Sequence, residues 1–145
     1  MARTRSIKPE FLSDEKLAKV SRDARLTFAG MWGVSDDYGN CKGNHVWIKS
    51  QLYPYEDIPL KLFDKWMDEL VKICRIVPFD HHDERYYHIV NFLKHQKVDH
   101  PSKVRNPEPL RGFVEKYIKQ ARESLASHSR AAREPLARNR WSGCL

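Results

Sequence analysis

The chain is poor in the residues that announce chemistry on their own. Three cysteines (Cys41, Cys74, Cys144) occur in 145 residues. They are too few and too scattered for a disulfide framework, and this points to a reducing compartment. Glycine is as sparse, at six residues. No P-loop, nucleophile elbow or HExxH pair is present, so no catalytic residue is expected and the protein is not read as an enzyme. The apolar runs are only a few residues long, so no membrane span is expected. The opening Met-Ala-Arg-Thr-Arg-Ser leads into Ile7-Lys8-Pro9-Glu10 rather than an apolar stretch, which argues against a secretory signal. A cytoplasmic location without membrane contact is the expectation.

Seven histidines invite a metal reading. Cys41 and His45 are separated by three residues, and His81-His82-Asp83 sit together, but no second Cys/His pair lies at zinc-finger spacing. Exposed turn histidines are the simpler reading, and no metal or other cofactor is expected. The carboxylate pairs Asp36-Asp37 and Asp83-Glu84 fall in turn signals and read as solvated loops. A metal-dependent nuclease therefore lacks a ligand set.

What the chain does have is positive charge, unevenly placed. Its net charge is +7. Residues 1–35 carry seven basic and four acidic side chains, residues 36–98 nine and ten, and residues 99–145 ten and five. A neutral middle is thus flanked by basic ends. A basic flank follows a phosphate backbone by releasing counterions, although a solvated tail has the same composition.

Ser13-Asp14-Glu15 suggests a short helix capped by Ser13. Ser21 is a cap for a second helix over 22–34, in which Ala24, Phe28, Met31 and Trp32 share one face. Asp36 to Asn40 is a turn signal. A short helix is expected over 46–53 and a longer one from Pro59, with Leu60, Phe63, Met67, Leu70 and Cys74 as its buried stripe. The period then falls to two. Ile76 to Phe79 and Arg85 to Val90 flank the polar residues 80–84 as a hairpin, and Pro78, which has no N–H, belongs on an edge strand. Residues 99–109 hold three prolines and read as a linker or irregular wrap. Residues 110–126 form an amphipathic helix, and the basic tail 127–145 is expected to be disordered. The fold class is α+β, mainly α. The order helix, helix, short helix, longer helix, hairpin is that of a winged helix-turn-helix over residues 1–98, with an added C-terminal helix and tail.

Met-Ala-Arg-Thr-Arg-Ser-Ile-Lys-Pro-Glu-Phe at 1–11, Ala24-Arg25-Leu26-Thr27-Phe28, Gly30-Met31-Trp32, Ile48-Lys49 and Leu52-Tyr53-Pro54-Tyr55 resemble a family of small phage proteins. Ile89-Val90-Asn91-Phe92-Leu93-Lys94-His95-Gln96-Lys97 is similar to that family's I-x-N-F-x-K-H-Q segment. The family is similar to the N-terminal winged-helix domain of phage replisome organisers and DnaD-like replication initiators, and the resemblance covers about residues 1–105. It implies a phage protein of the host cytoplasm that binds double-stranded DNA at replication initiation. The chain departs from the family's pattern at residues 40–45, and after the wing it has one helix and a basic tail in place of a larger replication domain.

On this reading the DNA-binding residues are the arm Arg3, Arg5 and Lys8; Lys49; Lys61 and Lys65 on the longer helix; Arg85 on the wing; and Lys94, His95, Lys97, Lys103 and Arg105 behind it. Asp64, Asp68 and Glu69 share the longer helix with the lysines and oppose phosphate. The alternative is a protein-interaction module that docks a host replication, transcription or defence factor. Trp66, and Trp141 in the Arg-rich tail, are its candidate anchors.

Overall fold

A computed structural model describes residues 4–133. Arg3, Trp141 and the tail from residue 134 lie outside the described residues. The order is α1 (Glu10–Ser13), a 3₁₀ turn (Leu17–Lys19), α2 (Arg22–Val34), β1 (Asn40–Lys42), α3 (His45–Leu52), α4 (Leu60–Lys72), β2 (Ile76–His81), β3 (Glu84–Ile89), α5 (Phe92–His95) and α6 (Phe113–Arg133). The fold is α+β, with one antiparallel three-stranded sheet in the order β1-β3-β2.

Local chemistry accounts for most element ends. Ser21 caps α2 by accepting from the Ala24 N–H at 3.2 Å. Asn44 caps α3 by accepting from the Trp47 N–H at 3.1 Å. Pro59, extended at φ −55° and ψ 134°, stands just outside α4. That helix stops in a Schellman turn. Cys74 sits at φ 56°, its N–H donates to the Val71 carbonyl, and the Arg75 N–H donates to that of Leu70. The buried stripe therefore runs from Phe63 to Leu70, with Leu60 exposed in the first turn and Cys74 in the closing turn. Ser13 does not cap. Asp14 does, accepting from the N–H groups of Lys16 and Leu17 at 2.8 and 3.2 Å, so the expected helix is reduced to the 3₁₀ turn, and α1 lies before it, ending at Ser13.

The hairpin is tighter than the sequence suggests. Asp80–Arg85 and His81–Glu84 are still paired, and only His82 and Asp83 turn, at φ 47° and 62°. This is the two-residue geometry with both central residues left-handed. Pro78 lies on edge strand β2, as its missing N–H requires. The sequence reading missed β1, whose three residues pair with Tyr86 to His88 of β3.

Phe28, Met31, Trp32, Ile48, Phe63, Trp66, Met67, Leu70, Ile76, Tyr87 and Ile89 make the core between α2, α3, α4 and one face of the sheet. By strand alternation Val77 and Phe79 point to the opposite face, yet both are buried. The C-terminal segment accounts for this. Burial lowers the pKa of His88 on that face, and the nearby carboxylates of Asp36, Glu108 and Glu115 pull the other way. Tyr117 lies close enough to Arg85 and Cys74 to sense both. Helices α2–α4 cover one side of the sheet, and α6 lies near the ends of its strands, where Val114 and Ile118 line a cavity with Ile73, Cys74 and Val90.

Two corrections concern the loop before β1 and the chain ends. Asp36 and Asp37 are buried, not solvated. Asp36 Oδ1 accepts from the N–H groups of Tyr38 and Asn40. Asp37 Oδ1 accepts from Arg5 at 3.0 Å, and its Oδ2 accepts from the Ser102 N–H and hydroxyl at 2.8 and 2.9 Å. Asn106 adds hydrogen bonds to Asp36 Oδ2 and the Asn40 carbonyl. Residues 99–109 are thus a wrap pinned to the body. Gly39, at φ +86°, passes so close to Phe92 that a Cβ would lie 2.6 Å from that of Phe92. The helix expected over 110–126 begins at Phe113 and continues to Arg133, so residues 127–133 are helical where a disordered tail was expected. Among the described residues no helix is long and apolar enough to cross a membrane.

Candidate nucleic-acid interface

Helix α4 presents Lys61 and Lys65 to solvent, one turn apart on one face. The carboxylates that share the helix are mostly turned to other partners. Asp64 Oδ1 meets His45 Nδ1 at 2.5 Å. Glu69 accepts from the Ser21 N–H at 3.2 Å and from its hydroxyl at 2.8 Å, which ties the end of α4 to the start of α2. Asp68 remains exposed. Asp64 and Glu69 are thus held by partners within the protein, while all three carboxylates keep their charge on the helix that carries Lys61 and Lys65.

His45 is the first residue of α3, and its other nitrogen meets the Tyr87 hydroxyl at 2.6 Å. Its ring stacks on Tyr87 with centroids 5.9 Å apart and an interplanar angle of 19°, and meets Phe63 edge-on at 5.9 Å. Burial pushes the Tyr87 hydroxyl up to about 12, so it stays protonated. Asp64 of α4, His45 of α3 and Tyr87 of β3 form one relay across three elements. Nothing in the sequence announces it, because the three positions have no common spacing.

The hairpin tip has the wrong sign for gripping phosphate. Asp80, Asp83 and Glu84 are all exposed, and the single cation there, Arg85, donates from Nε to Asp80 Oδ1 at 2.8 Å. Lys49 donates to the Ile58 carbonyl and closes the loop between α3 and α4. Lys42 lies over the Trp47 ring, 5.7 Å from its centroid.

The remaining predicted cations gather at the other end of the sheet. Lys8 donates to the Lys94 carbonyl at 3.0 Å. Lys94, His95, Lys97, Lys103 and Arg105 are exposed, with Asp99 at 3.7 Å from Lys97. Strand β3 runs six residues between the tip and this end, about 17 Å at the usual rise. The sequence-predicted residues that the structure describes therefore do not form one surface. Lys49, Lys61, Lys65 and Arg85 fall on α3, α4 and the hairpin, and Lys8, Lys94, His95, Lys97, Lys103 and Arg105 at the base of the sheet.

Arg5 belongs to neither. Its side chain is 9% exposed, donates to the Trp32 carbonyl and to Asp37, and lies 5.1 Å from the Phe92 ring centroid. It is a clamp rather than a mobile arm. Gln96 completes the clamp, accepting from the Ser6 N–H and donating to the Ser6 carbonyl, both at 2.8 Å. The I-x-N-F-x-K-H-Q segment is thus largely structural. Asn91 takes the left-handed conformation, Phe92 is buried, Gln96 clasps the N-terminal segment at Ser6, and Leu93, Lys94, His95 and Lys97 are exposed. Trp66 is likewise in the core, edge-on to Phe63, and cannot anchor a partner.

Cys41 is fully buried, its thiol pushed up to about 12 first by burial and then by Asp36, while His45 is committed to Asp64 and Tyr87. Among the described residues no group of three or more His, Cys, Asp or Glu is placed to hold a metal ion. No protein-family model matches the chain, and no curated protein or solved structure matches it.

Proposed function

We propose that the chain is a phage-encoded winged-helix protein that binds double-stranded DNA in the host cytoplasm and acts at replication initiation or replisome organisation. The observation that carries this reading is the arrangement around α4. The order α2, β1, α3, α4, β2, β3 with a β1-β3-β2 sheet is compatible with a winged helix-turn-helix, and α4 exposes Lys61 and Lys65 while Asp64 and Glu69 are hydrogen-bonded to His45 and Ser21. The resemblance of residues 1–105 to phage replisome organisers supports the same reading. Affinity comes from α4 and from the cations at the base of the sheet, not from the hairpin tip.

Duplex binding followed by fluorescence anisotropy over a range of salt tests this. Lys61→Ala and Lys65→Ala should each weaken binding on every sequence and reduce the salt slope by about 1. Replacing Asp83 and Glu84 by Asn and Gln should strengthen binding. A full chain that binds no duplex even at about 50 mM salt, where phosphate contacts are strongest, would overturn the reading.

One further observation favours protein docking instead. Val46, Tyr55, Leu60 and Leu62, from α3, the following loop and the first turn of α4, are 60%, 99%, 41% and 41% exposed. Apolar side chains at this density beside an acidic tip suit a protein partner better than a phosphate backbone. Under this alternative, Lys61→Ala and Lys65→Ala leave any duplex binding unchanged, and binding resides in Lys94, Lys97, Lys103 and Arg105.

A further inference from the structure

Helix α4 joins the hairpin at one end only. Its C-terminus passes through the Schellman turn at Cys74 and Arg75 straight into β2. Its N-terminal half, which carries Lys61 and Lys65, lies on the far side of that turn. Phe63, Trp66 and Met67 bury it against the core, but apolar contact has no preferred direction and tolerates small rotations and slides. Hydrogen bonds are directional. His45 supplies the directional contact there. Its Nδ1 meets Asp64 Oδ1 on α4 at 2.5 Å, and its Nε2 meets the Tyr87 hydroxyl on β3 at 2.6 Å. Both ring nitrogens are in hydrogen-bond contact, whichever tautomer is present, so one side chain ties α4 to the hairpin. The stacking of the ring on Tyr87 and its edge contact with Phe63 fix the plane in which it does so.

We propose that His45 is a positioning residue that sets the spacing between the N-terminal half of α4 and strand β3, and so holds Lys61 and Lys65 in register on duplex DNA. The proposal rests on the DNA-binding reading for its consequence but not for its geometry. His45 touches no nucleic acid in this scheme. It acts through the two elements that it joins, and the Tyr87 hydroxyl is the second half of the same device.

Two measurements on the full chain test it. The first is spin-label distance measurement between Lys65→Cys on α4 and Glu84→Cys on β3, with Cys74 and Cys144 replaced by Ser and the buried Cys41 retained. A narrow distance distribution is expected in the parent and a broadened one in His45→Phe, which keeps a ring and loses both hydrogen bonds. Tyr87→Phe, which removes a single hydroxyl, guards against a His45 variant that fails to fold and should broaden the distribution to a lesser degree. The second is duplex binding across salt. His45→Phe and Tyr87→Phe should each weaken binding about fivefold with an unchanged salt slope, because no phosphate contact is removed. The double variant should be no weaker than His45→Phe alone, as expected for groups acting as one unit. An unchanged distance distribution in both variants would overturn the positioning role whatever the DNA result. A parent chain that binds no duplex would overturn the DNA reading and the proposed consequence for binding, and the distance measurement would then decide the positioning role alone.

Discussion

Asp37 shows how far one side chain's surroundings can depart from its sequence neighbourhood. It sits in a run of turn-forming residues, yet its carboxylate is 2% exposed and is shared between Arg5 and Ser102. Removing one partner of a buried ion pair strands the other charge. Asp37→Ala should therefore cost about 3 kcal/mol in urea unfolding, and Asp37→Asn, which can keep the Ser102 contacts, should cost less. His88 gives a second test. Its pKa in the folded protein is held below the ordinary 6.5, chiefly by burial. The unfolded chain then binds a proton more readily than the folded one. Stability should be level above pH 6.5 and decline as pH falls below it, and His88→Gln should remove that part of the slope in urea titrations at stepped pH. Neither residue was legible beforehand. The partners of Asp37 are 32 and 65 residues away, and His88 meets Asn40, 48 residues away, through Nδ1. Trp66 shows the same blindness from the other side. A tryptophan on a helix reads equally as anchor or core until the neighbouring elements are placed.

Elements whose signals are local were readable. The Ser21 cap, the apolar stripe of α4 and the alternating arms of the hairpin each lie within a dozen residues of chain and lead to α2, α4, β2 and β3 almost at their observed ends. Strand β1 was not, because three residues show no alternation and its reason for being extended is its pairing with β3. The end of α6 was misjudged for a different reason. Ala, Arg and Ser in 127–133 suit a helix as well as a tail, and chain already helical extends at little cost. The hairpin turn offers a test at this scale. His82 and Asp83 occupy left-handed positions that Asn and Gly fill with less strain. His82→Asn with Asp83→Gly should stabilise the protein by about 1 kcal/mol, read as a rise in the urea midpoint with unchanged slope.

For the molecule as a whole, the sheet is covered on both faces, but by cover of unequal strength. The helices α2–α4 contribute a continuous core, whereas Val77 and Phe79 on the outer face are buried outside it. A chain ending at residue 109 should keep its far-ultraviolet spectrum in proportion to the helix removed, yet bind a hydrophobic dye through newly bared Val77 and Phe79. An unchanged dye signal would mean that something other than α6 covers that face. The charge pattern is also legible only at this scale. The excess of basic residues at both chain ends was plain from the sequence, but that Lys8 meets Lys94 at the base of the sheet while Asp80, Asp83 and Glu84 stand exposed at the hairpin tip follows from folding.

The two aspartates before β1 bind the beginning of the body to its end, through partners 32, 65 and 70 positions distant. Such long loops close late, after nearer contacts have formed. Damage at this junction should accordingly hasten opening rather than delay assembly. Stopped-flow measurements on Asp37→Asn and Ser102→Ala are expected to give faster unfolding with refolding rates almost untouched. The same junction would then act as the latch that sets the lifetime of the native state.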